Sequence, residues 1–123
     1  MIMTLDELEN TFIEEFEGAV DELQKGRNKN AVILFSKALF ALCDLLIFLK
    51  FSKLPKNHTE RFRILEEHFN QIYVLIDDVW NHYTNAYSKP ILKETNESMK
   101  NAIKEINRLE NFPNKIREVI GKL

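Results

Sequence analysis

Residues 31–49 constrain the fold more than any other segment, because their apolar side chains cover nearly every face of a helix. The segment also carries Ser36, Lys37 and Asp44, which divide it into apolar runs of five to six residues. A membrane-spanning helix needs about twenty mostly apolar residues with few charges. We therefore expect no membrane span here, but the central buried helix of a soluble bundle.

Helical periodicity continues on both sides of this segment. Apolar residues recur at intervals of three and four over residues 5–23, 62–87 and 99–109. The chain has only three glycines and three prolines, too few for the many tight turns of an all-β fold. The sequence therefore predicts an all-α fold. We expect an up-and-down bundle of four to five antiparallel helices, forming one domain over residues 1–123.

Caps and breakers indicate the boundaries of the first two helices. The run TLDE at residues 4–7 is typical of a capping box, and Gly26 can adopt the left-handed conformation that closes a helix. The second helix should run from about residue 30 to residue 51 or 52, because proline at position 55 disfavours helical geometry in the residue before it.

The second half of the chain leaves one question of helix number open. Asn57 is a suitable N-cap, and the apolar pattern that follows fits either one helix over residues 57–88 or two helices that break near residues 70–71. The next helix should begin at Thr95 or Asn96. A short closing helix is expected after the interruption at residues 111–113.

The sequence offers few groups for catalysis or metal binding. Cys43 is the single cysteine, which excludes an intramolecular disulfide, and its apolar surroundings predict a buried, unreactive thiol. Asp78 and His82 share a helical face, but a metal site needs more ligands than this pair. We predict no metal and no cofactor. The N-terminal run MIMTLDELEN lacks the basic and apolar regions of a signal peptide, so a cytoplasmic location is expected.

Four strings in a fixed order point to a known family: NKNAVILFSKALFALCDLLIF, LPKNHTERFRIL, WNHYTNAYSKP and ETNESMKNAIKEI. With them the chain resembles the HEPN domain over residues 5–110. The resemblance implies an up-and-down bundle of four or five helices that often pairs into a homodimer. It also implies a link to RNA, since many HEPN proteins are metal-independent ribonucleases that act as toxins or in host defence.

The catalytic signature of the family is an arginine separated by four to six residues from a histidine, near the end of the third or fourth helix. The arginine would polarise the scissile phosphate, and the histidine would assist proton transfer at the ribose 2′-hydroxyl. If Tyr87 takes the histidine position here, the arginine position falls on His82, Asn81 or Trp80. The string RILEEH, residues 63–68, fits the spacing but lies earlier in the chain.

Three functions are compatible with these observations. The first is a non-catalytic, HEPN-like homodimeric module that binds RNA, a nucleotide or a partner protein in a toxin–antitoxin or defence context. Its expected ligand-binding residues are His82, Tyr83 and Tyr87. The second is an active metal-independent endoribonuclease that uses Arg63 and His68. The third is a structural bundle that binds only proteins. We favour the first, because no arginine precedes Tyr87 at the required spacing.

Overall fold

The computed structural model describes residues 4–123, and these form six α-helices and no β-strand. The helices are α1 (Leu5–Gln24), α2 (Asn28–Phe51), α3 (His58–His68), α4 (Asn70–Asn85), α5 (Lys93–Leu109) and α6 (Asn114–Lys122). The prediction of an all-α fold is confirmed over these residues, with six helices where four to five were expected. Residues 1–3, which belong to the predicted domain and to the run examined for a signal peptide, lie outside the described residues.

The central position of α2 follows from its composition. This helix contacts α1, α3, α4 and α5. Among the described residues it is the one helix long and apolar enough to cross a membrane, and 61% of its most apolar stretch is buried within the fold. Its buried residues spread around the helix: Ala31, Val32, Phe35, Ser36, Ala38, Leu39, Phe40, Leu42, Cys43, Leu45, Leu46 and Ile47. The neighbouring helices therefore provide the burial that the sequence requires.

The first two helices pair through a tight turn. The predicted capping box is present: the Thr4 hydroxyl accepts from the Glu7 N–H at 3.2 Å, and the Glu7 carboxylate accepts from the Thr4 N–H at 3.2 Å. Gly26 has a φ of 76°, as expected of a glycine that closes a helix. The chain then reverses, and the ring of Phe16 packs edge-to-face on Phe35 with their centroids 6.1 Å apart.

The open question of residues 57–88 has a clear answer: they contain two helices. Phe69 separates α3 from α4 and has non-helical backbone angles, φ −140° and ψ 56°. Its side chain is buried, and the Lys50 ammonium lies 5.0 Å from the centroid of its ring. Neither glycine nor proline lies at this break. The helix instead ends where the side chain of Phe69 packs into the core.

Two helices begin earlier than the sequence indicates. α2 begins at Asn28 and α5 at Lys93, and the residues before them, Arg27 and Leu92, make no side-chain capping bond. The sequence pattern pointed to Thr95 or Asn96, two residue types that are common at helix N-caps. Instead, Asn96 is buried inside α5 and its Nδ2 donates to the carbonyl oxygen of Asn28 at 2.9 Å. Asn96 thus links α5 to α2 through a side-chain hydrogen bond, although asparagine is more common at helix caps.

We expect the substitution Phe35→Ala to lower the free energy of unfolding by about 3–5 kcal/mol, because it removes a fully buried aromatic side chain and leaves a cavity in the core. Urea denaturation followed by circular dichroism measures this change. Leu92→Ala is the matched control, since Leu92 is 65% exposed and its truncation should change stability by less than about 0.5 kcal/mol. Equal effects of the two substitutions would contradict the described core.

Candidate functional site

Arg63 and His68, the first and last residues of the string RILEEH, lie close together on the exposed surface of α3. Arg63 and His68 line one small pocket of about 90 Å³, together with Lys53 and Glu67. The Glu67 carboxylate lies between them, 3.6 Å from Arg63 Nη1 and 3.8 Å from His68 Nε2. Arg63 is 57% exposed and His68 is 42% exposed. The structure therefore brings these two candidates together, at a small site where both side chains are exposed to solvent.

An aromatic ring forms one side of this pocket. Phe51, the last residue of α2, packs edge-to-face against the His68 ring at a centroid distance of 4.9 Å. The Lys50 ammonium lies 5.6 Å from the Phe51 ring centroid. We name the group Lys50, Lys53, Arg63 and His68 the basic patch. It combines positive charge with an aromatic surface, which is the combination that nucleic-acid backbones and bases recognise.

A second group of interacting polar residues, Asp44, Arg61 and His58, was not predicted from the sequence. Arg61 donates two hydrogen bonds to the Asp44 carboxylate, from Nε at 2.6 Å and from Nη2 at 2.9 Å. Its remaining nitrogen, Nη1, lies 2.5 Å from His58 Nδ1. Because arginine only donates, Nδ1 must accept and the imidazole must be neutral. The one available signal was Asp44 itself, the single acid of an apolar helix, since a partly buried carboxylate requires a partner.

An aromatic cluster lies beside this ion pair and joins α2, α3 and α4, with the Arg61 guanidinium 5.4 Å from the centroid of the Phe40 ring. His58 packs against Phe40 and Trp80, with centroid distances of 4.9 and 4.7 Å. Phe62 and Tyr83 complete the cluster around Phe40, at 6.4 and 5.9 Å. Burial, assisted by the neighbouring Arg61 charge, lowers the pKa of His58 against an opposing effect of the Asp44 charge.

The three residues expected to bind a ligand divide between two faces of the bundle. Tyr83 belongs to the aromatic cluster and contacts Tyr87, with the ring centroids 5.8 Å apart. The pKa of Tyr83 is raised, mainly by a hydrogen bond with Tyr87 and to a smaller extent by burial. His82 instead faces α5, and its Nε2 lies 3.7 Å from the Asp78 carboxylate. Tyr83 and Tyr87 are therefore adjacent, whereas His82 lies apart from them.

The face that carries His82 forms a groove between α4 and α5. One half, of about 450 Å³, extends from Val74 to His82 on α4 and includes Ser98 on α5. The other half, of about 390 Å³, extends from Val74 to Asn70 and reaches Arg108 and Leu109 on α5. Both halves share Val74, Leu75 and Glu105. We name this surface the α4–α5 groove.

Cys43 and the acidic residues do not add a reactive centre. Cys43 is fully buried, as predicted, and burial raises the pKa of its thiol. Over residues 4–123 no group of three or more His, Cys, Asp or Glu side chains is placed to hold a metal ion.

Comparisons with known proteins found no match to the chain among protein-family models, curated proteins or solved structures. The resemblance to HEPN domains stays a prediction.

Asp44 and Arg61 should be energetically coupled, because either substitution leaves a partly buried charge without its partner. We expect Asp44→Asn and Arg61→Gln each to cost about 2 kcal/mol, with much of that cost shared in the double variant. A double-mutant cycle from urea denaturation measures the coupling. Additive effects of the two substitutions would show that the pair is not formed.

The neutral His58 ring should make stability depend on pH. Since the folded state lowers the pKa of His58, the unfolded chain binds the proton more readily, and stability must fall as pH falls. The stabilisation is complete above the unfolded pKa of about 6.5 and is lost as pH falls through the lower folded value. We expect the free energy of unfolding of wild type, relative to that of His58→Gln, to decrease as the pH is lowered from about 7.5 to 5. A difference that stays constant over this interval would contradict the neutral ring.

Proposed function

We propose that this chain is a non-catalytic, HEPN-like homodimeric module that binds RNA or a nucleotide through its basic patch. In this proposal the bundle is up-and-down and the protein is cytoplasmic, with a role in a toxin–antitoxin or defence system. The observation that carries the binding function is the convergence of Lys53, Arg63 and His68 on one pocket beside the Phe51 ring.

Charge and shape support a phosphate as the group recognised. Arg63 presents a planar guanidinium that can hold two phosphate oxygens. Lys53, in the segment between α2 and α3, adds a positive point charge to the same pocket. A phosphate entering the pocket would take the place of the Glu67 carboxylate, which already occupies the position between Arg63 and His68. The Phe51 ring also lines the pocket and adds an aromatic group of the kind on which bases stack, which favours a nucleotide over inorganic phosphate alone.

The same geometry argues against strong catalysis. Stabilisation of a phosphorane-like transition state depends on preorganised positive charge in a site that excludes water. Arg63 is more than half exposed and shares its charge with Glu67, so its electrostatic effect is weakened by solvent. Arg61 is better shielded, but both of its donor edges are engaged by Asp44 and His58. Binding is thus better supported than cleavage.

The active ribonuclease is the second candidate, and one observation favours it. Arg63 and His68 line the same pocket, with Glu67 in contact with both. In this alternative Glu67 would orient the His68 ring for proton transfer while Arg63 holds the scissile phosphate. The bundle that binds only proteins is the third candidate, and the α4–α5 groove is the surface that would serve it.

The basic patch should bind short single-stranded RNA with a strong dependence on salt. We expect Lys53→Ala and Arg63→Ala each to weaken binding severalfold and to reduce the slope of log affinity against log salt by about 0.7, the value for one lost phosphate contact with a single strand. Fluorescence anisotropy with a labelled oligonucleotide measures both quantities. Arg117→Ala is the matched control, because Arg117 is an exposed base on α6, outside the patch.

Incubation of the purified protein with mixed RNA separates the three candidates. The proposed function predicts salt-dependent binding and intact RNA. Cleavage that disappears in both Arg63→Ala and His68→Ala would establish the ribonuclease instead. The absence of any salt-sensitive affinity would contradict an RNA-binding role and favour the bundle that binds only proteins.

A further inference from the structure

We propose that the pocket of the basic patch holds a phosphomonoester, the terminal phosphate of a nucleotide or of an RNA end, and not a phosphodiester within an RNA chain. This inference rests on the proposed binding of RNA or a nucleotide and names the chemical group that is recognised. The phosphate takes the place between Arg63 and His68 that the Glu67 carboxylate occupies in the structure.

The size of the pocket is the first observation that supports a single phosphate group. Its volume is about 90 Å³, which equals the share of about three molecules in liquid water at about 30 Å³ each. One phosphate group fits such a space, whereas a nucleobase or several nucleotides do not. The sugar and the base must therefore lie outside the pocket, where the Phe51 ring at its wall offers an aromatic surface.

The looseness of the Glu67 carboxylate is the second observation. Its oxygens lie 3.6 Å from Arg63 Nη1 and 3.8 Å from His68 Nε2, and both distances are too long for hydrogen bonds. The Glu67 side chain is also 52% exposed, so these ion pairs are weak and the carboxylate can turn out into solvent. A phosphate that approaches to hydrogen-bond distance replaces two weak ion pairs by stronger, charge-assisted bonds.

The charge of the ligand distinguishes a monoester from a diester. A phosphodiester carries one negative charge, as the Glu67 carboxylate does, and it has two free oxygens. A phosphomonoester carries about 1.5 to 2 negative charges at pH 7 and has three. Three side chains with N–H groups converge on the pocket, those of Lys53, Arg63 and His68, so a third oxygen can have its own donor. Because exchange of one monoanion for another gains little, the pocket should favour the monoester.

The acids around the patch are the third observation, because they interrupt the path of an extended RNA chain. Glu60 and Glu66 lie three residues before and three residues after Arg63, at neighbouring positions on the surface of the helix. The pocket on the other side of His68 contains Glu110. Proteins that bind the interior of single strands instead follow the backbone with a positively charged groove. The local arrangement of charge therefore suits one terminal phosphate better than a chain.

RNA oligonucleotides of one sequence test the choice of ligand, with hydroxyl groups at both ends, a 5′-phosphate or a 3′-phosphate. We expect one phosphorylated form to bind about tenfold more tightly than the form with hydroxyl ends, and Arg63→Ala to abolish the difference. Isothermal titration calorimetry measures these affinities without a label at either end. Arg63 is exposed, so its substitution should leave the fold intact.

Adenosine 5′-monophosphate, titrated in the same way, distinguishes the two sources of the terminal phosphate. An affinity equal to that of the phosphorylated RNA indicates that a mononucleotide suffices. A weaker affinity, still greater than that of adenosine, indicates that the RNA end is the preferred ligand.

Glu67→Gln tests whether the carboxylate competes with the ligand. This substitution removes the charge and keeps the size of the side chain, so we expect the phosphorylated ligand to bind severalfold more tightly. Glu66→Gln is the matched control, because Glu66 is an exposed acid of the same helix that does not line the pocket, and its effect should be much smaller. Equal effects of the two substitutions would contradict a place for the phosphate at Glu67.

Two outcomes separate this inference from the proposed function. Equal affinities for the phosphorylated and the hydroxyl-ended RNA, both weakened by Arg63→Ala, would overturn the phosphomonoester and leave the proposed RNA binding intact. No measurable binding of any of these ligands would overturn both.

Discussion

The burial of α2 on nearly all sides is the constraint on which the rest of the structure depends. A helix that is apolar around most of its circumference must be surrounded, so α1, α3, α4 and α5 all contact it. Its buried and partly buried polar groups, such as those of Ser36 and Asp44, must then find partners within the bundle. Ser36 does so locally, by donating its hydroxyl to the carbonyl oxygen of Val32 at 2.8 Å. Asp44 has no such local partner, and its carboxylate accepts hydrogen bonds from Arg61 of α3 instead.

The partner of Asp44 links the core to the exposed surface of α3. Arg61 binds the carboxylate with two hydrogen bonds and contacts His58, which fixes the first turn of α3 against α2 and α4. This positions the exposed face of α3, where Arg63 and His68 meet the end of α2. Arg61, the better shielded of these two arginines of α3, is thus engaged in the ion pair with Asp44, whereas Arg63 stays 57% exposed.

Much of the fold could be predicted from the sequence, because periodicity and capping are local signals. The capping box at Thr4, the turn at Gly26 and the buried α2 all follow from such signals. The apolar spacing continues through Phe69, so the sequence left one helix and two helices equally open, and only the structure decides for two. The separation of His82 from Tyr83 follows only once it is known which helices cover each face of α4. Long-range partners, such as Arg61 for Asp44, likewise depend on tertiary structure.

Native-state hydrogen exchange in water, resolved by residue, tests the central claim most directly. If α2 is the enclosed centre of the bundle, the backbone amides of its buried residues should exchange only through global unfolding, while those of α6 and the ends of α5 exchange through smaller openings. Amides of α2 that exchange as fast as those of α6 would contradict the account, because α2 would then not be enclosed by its neighbours.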